Sequence, residues 1–123
     1  MKLRLDFEGL TTEIQLQDTD CAKALYEACP FEAVVHRWGE EIYFETPVTA
    51  DLDETAVEVV KKGDVGYWPS GQALCLFFGP TPISEPGEIR PASAVNIVGQ
   101  ILSALDLLDE VPEGSRVLVE KAD

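Results

Sequence analysis

The sequence has little positive charge. Nine Lys and Arg residues stand against 23 Asp and Glu residues, which gives a formal net charge of −14 at pH 7. Binding to a phosphate backbone or to an anionic membrane surface needs clustered cations. We therefore expect neither nucleic acid nor membrane among the partners. The acids are spread along the chain, which is typical of a solvated acidic surface.

Residues that bind metals or form disulfides are also scarce. The chain has one His, three Cys and no Cys-x-x-Cys motif. Cys21 and Cys29 are eight residues apart on a predicted helix, about 12 Å at the helical rise and too far for a disulfide. We predict that all three cysteines, Cys75 included, are reduced and buried. No metal site and no cofactor are predicted.

Long apolar runs are missing as well. No stretch approaches the roughly 20 apolar residues that span a bilayer. Residues 1–6 alternate and soon meet acids, unlike a signal peptide. These patterns favour a cytoplasmic protein. A length of 123 residues with 46% hydrophobic residues fits one domain, residues 1–123, with a substantial core.

What the sequence does contain is a series of short strand patterns. Leu3, Leu5 and Phe7 alternate with charged residues, and Ile14 and Leu16 repeat the pattern after a break at residues 8–11, which predicts an antiparallel hairpin. Further strands are predicted within 31–35, 42–44, 57–60, 64–68, 73–78, 95–98 and 117–119, with residues 36–39 as a turn.

Two short helices are predicted among these strands. The first follows N-cap residues 18–20 and stops at Pro30. The second has Ile101, Leu102, Leu105 and Leu108 at helical spacing. The prediction is a mainly β fold, a closed or nearly closed eight-stranded antiparallel barrel with two short capping helices.

The central stretch, residues 63–84, is dense in Gly, Pro and aromatic residues. It predicts two strands joined by a turn at 69–71, followed by a Pro-rich surface loop through residue 93. Aromatic residues beside tight turns need burial or a ligand. Trp38 and Trp68, each next to a turn residue, are candidates for partly exposed ligand contacts, although they could equally cap the barrel ends.

Four segments, residues 37–44, 63–69, 73–82 and 91–99, resemble the signature segments of a small prokaryotic cyclophilin-like family. The similarity runs over most of the chain. It implies the cyclophilin barrel with two capping helices. That family consists largely of uncharacterised relatives of the peptidyl-prolyl isomerases.

Resemblance to the isomerases themselves is restricted to a few positions. His36-Arg37 is similar to their Phe-His-Arg segment, which carries the catalytic arginine. Residues 70–74 are similar to their Gly-Ser-Gln-Phe-Phe segment, with Gln72 as the counterpart of the pocket glutamine. Residues 95–101 resemble a third segment. The Phe-Phe after the glutamine, the Gln-Gly-Gly segment, the pocket tryptophan and the pocket histidine have no clear counterparts.

This resemblance implies a site for prolyl isomerisation. Rotation about an X-Pro bond has a barrier of about 20 kcal/mol, and a cation near the prolyl nitrogen stabilises the transition state. Arg37 is the predicted catalytic residue. The predicted substrate-binding residues are one glutamine and five aromatic residues: Gln72, Tyr43, Phe44, Trp68, Phe77 and Phe78. Strand alternation turns only one residue of each adjacent pair inward.

Two functions remain open at this point. The first is a weak or specialised peptidyl-prolyl isomerase acting on a proline-containing peptide through Arg37. The second is a non-catalytic module that binds a small molecule, a peptide or another subunit. An arginine among many acids at a turn could form a salt bridge instead of catalysing, and Gln72 could merely bridge a turn. Self-association through the Trp68-Pro69 corner is a further hypothesis.

Overall fold

The computed structural model describes residues 1–123 and consists mainly of β-strands. It has one α-helix, Asp20–Glu27 (α1), and 3₁₀ helices at Pro69–Gly71 and Leu105–Glu110. The strands, in chain order, are Lys2–Phe7 (β1), Leu10–Leu16 (β2), Phe31–Val34 (β3), His36–Arg37 (β4), Glu41–Glu45 (β5), Ala56–Val57 (β6), Asp64–Trp68 (β7), Ala73–Phe77 (β8), Val95–Ile101 (β9) and Arg116–Lys121 (β10).

Nine strands form a nearly closed antiparallel barrel in the order β3-β10-β1-β2-β9-β7-β8-β5-β4, and β6 pairs with β9 outside this path. The two strands at the ends of the path, β3 and β4, are consecutive in the chain and separated only by Val35, which is fully buried. One bent segment therefore pairs with β10 on one side and with β5 on the other. Counted as one strand, it gives the eight strands that the sequence predicts, and the barrel prediction is confirmed.

The N-terminal hairpin forms where the alternation predicts it. Six residue pairs join β1 and β2, from Lys2↔Gln15 to Phe7↔Leu10. The two residues between the strands, Glu8 and Gly9, have φ angles of 55° and 108°. Two positive φ angles in a two-residue loop match the right-handed twist of the flanking strands.

The two predicted helices have different outcomes. Helix α1 forms as predicted, with the Thr19 hydroxyl accepting a hydrogen bond from the Ala22 backbone N–H at 3.1 Å. The second helix was predicted to include Ile101 and Leu102, which is wrong. Ile101 belongs to β9, where it pairs with Ile14 of β2, and the helical turn is a 3₁₀ helix that starts at Leu105. Pairing in the sheet overrides the helical spacing at Ile101.

The central hairpin and its neighbours fix the two faces of the barrel wall. In β8, Leu74 and Leu76 point into an interior cluster of 22 buried residues, to which both α1 and the second 3₁₀ helix contribute. Alternate residues of the same strand lie outside, in a second cluster of six: Val60, Ala73, Cys75, Phe77, Ile89 and Val95.

A loop covers this outer cluster. Residues 78–94 connect β8 to β9, and within them the segment predicted as a surface loop, residues 80–93, places Ile89 against Val60 through an isolated β-bridge. The predicted strand at 57–60 is reduced to β6 and this bridge. The barrel wall is thus packed on both faces near β8.

Candidate functional site

A pocket of about 110 Å³ opens on the outer face of the barrel. Strands β5 and β7, the turn between β4 and β5, and the loop 78–94 supply its walls. Five residues line it, and three of them are aromatic: Trp38, Glu41, Tyr43, Trp68 and Ala92.

Strand alternation explains why these side chains meet there. In β5, Ile42 and Phe44 are fully buried in the interior cluster, so Glu41 and Tyr43 point outward. Tyr43 pairs with His36 of β4, whose ring centroid lies 5.2 Å away. In β7, Tyr67 points inward, and Trp68 packs against the outer cluster.

The aromatic side chains meet at a corner. The ring centroids of Tyr43 and Trp68 are 6.2 Å apart and their planes are inclined at 83°. Edge-to-face packing of this kind is favourable because the positive ring edge meets the negative face. Two walls of the pocket are therefore nearly perpendicular.

The indole of Trp68 is held in place from two sides. Its Nε1–H donates a hydrogen bond to Ser93 Oγ at 2.6 Å. On the other side, a Cβ at Gly71 would lie 2.7 Å from the indole atoms Cε3 and Cζ3. The 3₁₀ turn can pack against Trp68 only because residue 71 has no side chain. The glycine therefore helps to fix the orientation of the indole that forms this wall of the pocket.

Glu41 is a buried carboxylic acid at this pocket. The residue is only 4% exposed, and its Oε1 is buried without a hydrogen-bond partner. Burial raises the pKa of the Glu41 carboxyl to about 7, although the nearby Cys75 thiol opposes part of that rise. Burial also raises the pKa of Cys75 well above its usual range. Glu41 therefore loses its proton at a higher pH than an exposed glutamate does.

Arg37, at the end of β4, is not part of the pocket lining, whereas the next residue, Trp38, is. Its guanidinium donates four hydrogen bonds: Nη1 to the carbonyls of Asp109 and Val111, and Nη2 to Gly39 O and Asp109 Oδ1. The last contact is also an ion pair of 3.0 Å. Its Nε is buried without a partner. Arg37 thus joins the second 3₁₀ helix to the β4–β5 turn.

Gln72 lies at the end of the 3₁₀ turn, with φ of 50°. Its Nε2 donates to Thr49 Oγ1 at 2.6 Å, and its carbonyl accepts from the backbone N–H of Thr46 at 2.8 Å. The residue links the central turn to the chain after β5. It does not line the pocket.

The structure divides the predicted site residues into separate groups. Tyr43 and Trp68 line the pocket, together with Trp38, which the sequence also singled out. Phe44 and Phe78 are in the interior cluster, and Phe77 is fully buried in the outer cluster. The predicted strand alternation within each adjacent pair is what separates them.

Sequence reasoning missed Glu41. The chain has 23 acidic residues, and nothing in the composition distinguishes Glu41 from the others. One signal was nonetheless present, because Glu41 is two residues before Tyr43 on the same strand and so shares its face.

Two structural surveys complete the description. No group of three or more His, Cys, Asp or Glu side chains is placed to hold a metal ion. None of the helices has the length and apolar character needed to cross a membrane.

Comparison with known proteins gives a consistent result. A family model described as cyclophilin-like matches residues 1–120. The solution structure of the hypothetical protein AF2241 from Archaeoglobus fulgidus is similar, with 44% sequence identity and a TM-score of 0.85. The match covers 99% of this chain and 95% of the archaeal one. A search of curated proteins found no match.

Proposed function

The chain belongs to the cyclophilin-like family, and we propose that this member is a binding module whose ligand enters the pocket between Trp38, Tyr43 and Trp68. One observation carries the proposal. The pocket is open, aromatic and held in shape, whereas the arginine predicted to be catalytic lies outside it and is engaged elsewhere.

The engagement of Arg37 is the main reason to favour binding over catalysis. A catalytic arginine must reach the prolyl nitrogen of a bound peptide. Four of the five guanidinium N–H groups of Arg37 already donate to the protein, and two of these bonds go to the Asp109 carboxylate and carbonyl. To act on a peptide, Arg37 would have to abandon the contacts that hold the second 3₁₀ helix.

The form of the pocket supports binding directly. Ligand sites are mostly apolar concavities with a few convergent polar groups, and aromatic side chains supply large contact areas at low entropic cost. Here Trp68 is oriented by Ser93 and by the space at Gly71. A wall that is fixed before binding loses little freedom when the ligand arrives.

A peptidyl-prolyl isomerase acting through Arg37 is the second candidate. Family membership favours it, and so does the position of the guanidinium, whose Cζ lies 5.2 Å from the ring centroid of Phe78. An aromatic ring beside an arginine is part of the arrangement that the resemblance implies. This candidate requires that Arg37 become free when substrate binds.

NMR titration separates the two candidates. The ¹⁵N-labelled protein is titrated with a proline-containing tetrapeptide and with a set of small neutral aromatic fragments, and the shifts of the two indole N–H signals are followed. We expect the indole signals of Trp38 and Trp68 to shift and to reach saturation as ligand is added. In Trp68→Ala, the remaining Trp38 signal should no longer show a saturating shift.

Isomerisation of the same peptide is measured in parallel for the wild type and for Arg37→Lys. No acceleration over the uncatalysed rate is expected. Acceleration that disappears in Arg37→Lys, with the fold retained, would establish the isomerase and contradict the binding module. Ligand-induced shifts confined to residues 105–110 would place the site on the Arg37 side instead.

A further inference from the structure

We infer that the pocket binds an organic cation, a methylated or quaternary ammonium group, among the rings of Trp38, Tyr43 and Trp68 and against the carboxyl group of Glu41. This inference rests on the proposed binding function and adds the chemical class of the ligand. Two independent features carry it, the aromatic walls and the buried Glu41 carboxyl, whose Oε1 has no hydrogen-bond partner.

The aromatic walls have the composition and spacing of a cation site. A cation is attracted to the face of Trp, Tyr or Phe when it lies within about 6 Å of the ring centroid, and Trp is the strongest partner. Because the centroids of Tyr43 and Trp68 are 6.2 Å apart, a cation in the corner between them can be within that distance of both. Trp38 adds a third ring to the same pocket.

The buried acid supplies the counter-charge. Glu41 is 96% buried, since only 4% of it is exposed, and its Oε1 has no hydrogen-bond partner. A buried polar atom without a partner is costly, so such atoms are rare unless a ligand completes them. A cation beside this carboxyl would favour its ionised form and offset the cost of burial.

The lining distinguishes between kinds of cation. A primary ammonium group has three N–H donors that lose water on entry, and Glu41 is the only acidic side chain in the lining to receive them. A methylated ammonium group has few or no N–H donors and presents an apolar surface to the rings. The latter therefore fits this lining better.

The size of the pocket limits the ligand to one group of that kind. An apolar protein cavity of about 150 Å³ holds benzene. The pocket measures about 110 Å³ and is open to solvent on one side. It can enclose the head of a ligand while the remainder stays outside.

The charges around the pocket do not oppose a cation. No Lys or Arg is in the lining. The titratable groups that interact with Glu41 are the thiol of Cys75 and the phenol of Tyr43. His36, which lies beside Tyr43, is paired with Glu113 at 3.0 Å. The net charge of −14 attracts cations to the whole surface.

Choline and its uncharged isostere 3,3-dimethylbutan-1-ol test the inference. Each is titrated into the ¹⁵N-labelled protein at 0.15 M ionic strength, where surface charges are screened beyond about 8 Å, and the indole signals of Trp38 and Trp68 report binding. We expect choline to bind at least about tenfold more tightly than the alcohol, because the cation–π contribution and the counter-charge of Glu41 both favour the cation.

Two variants make the test specific. In Glu41→Gln the preference for choline should fall by about fivefold or more, because the counter-charge is removed. Glu45→Gln is the matched control, since it removes one charge from the same strand at an exposed position outside the pocket. It should bind both probes as the wild type does.

Other outcomes overturn the inference in distinguishable ways. Equal binding of the two probes at the tryptophans would mean an apolar pocket without cation preference, and the binding function would stand. Equal losses in Glu41→Gln and Glu45→Gln would mean attraction by the net charge alone. Binding of neither probe would also exclude the cation, while saturating shifts with the neutral fragments would still support a binding module.

Discussion

The interior of the barrel and the pocket outside it are formed by alternate residues of the same strands. They differ in whether a buried polar group, Tyr67 inside and Glu41 outside, has a hydrogen-bond partner for each of its polar atoms. In the interior, the buried Tyr67 hydroxyl donates a hydrogen bond to the Val48 carbonyl at 2.6 Å. In the pocket, the buried Glu41 Oε1 has no partner, and the neighbouring indoles are only half-buried.

This difference separates stability from recognition. Apart from the Thr12 hydroxyl, which is buried without a partner, interior contacts are made within the chain, so they stabilise the fold and leave little for a ligand. The pocket contacts are incomplete, which lowers the stability of the unliganded protein and leaves favourable interactions for a partner. Substitutions in the interior should therefore mainly lower the free energy of unfolding, whereas substitutions in the pocket should mainly weaken ligand binding.

The largest effect on stability is expected inside. Phe44→Ala should lower the free energy of unfolding by about 3–5 kcal/mol, since it removes a fully buried ring from the interior cluster. Trp38→Ala, on the pocket side of the same sheet, should lower it by about 1 kcal/mol. Urea denaturation measures both, and a loss for Trp38→Ala as large as that for Phe44→Ala would remove the distinction.

The next effect is a pH dependence that originates in the pocket. Burial raises the pKa of the Glu41 carboxyl to about 7 in the folded protein, against an ordinary value of 4.5 for glutamate. Between these values the folded state binds more protons than the unfolded state, so this group makes stability fall as pH rises from about 4.5 to above 7. The difference between the two pKa values corresponds to about 3 kcal/mol of stability, which is lost as the pH rises to about 8.

Glu41→Gln should remove this contribution. The variant should be more stable than the wild type at pH 8, by about 2 kcal/mol, and close to it at pH 5. Urea denaturation at pH 5, 6, 7 and 8 gives the comparison, with Glu45→Gln as the control for net charge. Parallel stability profiles for the wild type and Glu41→Gln would show that burial does not disfavour the ionised carboxylate.

Substitution of Arg37 tests whether its guanidinium stabilises the fold. Arg37→Met should lower the free energy of unfolding by about 1–3 kcal/mol, because it leaves the carbonyls of Asp109 and Val111 without their donor. Arg4→Met, which breaks the exposed pair with Glu120, should lower it by less than about 1 kcal/mol. If Arg37→Met were as stable as the wild type, the contacts of Arg37 would not be needed for the fold. That result would favour the isomerase hypothesis.

Much of the fold could be predicted because its signals are local. The β1–β2 hairpin follows from alternation, and Thr19 marks the start of α1 by its side-chain chemistry. The pair His36–Arg37 was predicted as a turn, which is wrong. These residues form β4 because they pair with Tyr43 and Ile42, and such pairing is not visible in a two-residue window.

The site was less predictable because its properties are not local. Trp38 and Trp68 could be selected as ligand contacts since each lies beside a turn. The burial of Glu41 depends on how the rest of the chain packs over the sheet, and no strand pattern encodes it. The partners of Arg37 are 72 and 74 residues away in the chain, so its engagement could be raised only as an alternative.

The smallest effect on stability is expected at the turn that orients the pocket wall. In Gly71→Ala the new methyl group would lie 2.7 Å from the Trp68 indole, which must shift. Stability should fall by about 1 kcal/mol, whereas choline binding should weaken by about tenfold, because the displaced indole leaves the corner with Tyr43. Thermal unfolding and the NMR titration measure the two effects, and Ser70→Ala, on the exposed side of the same turn, should change neither. A variant that loses stability but binds choline normally would show that the position of the indole does not matter. The pocket would then depend on the acid alone, and its aromatic walls would belong to the packing of the barrel.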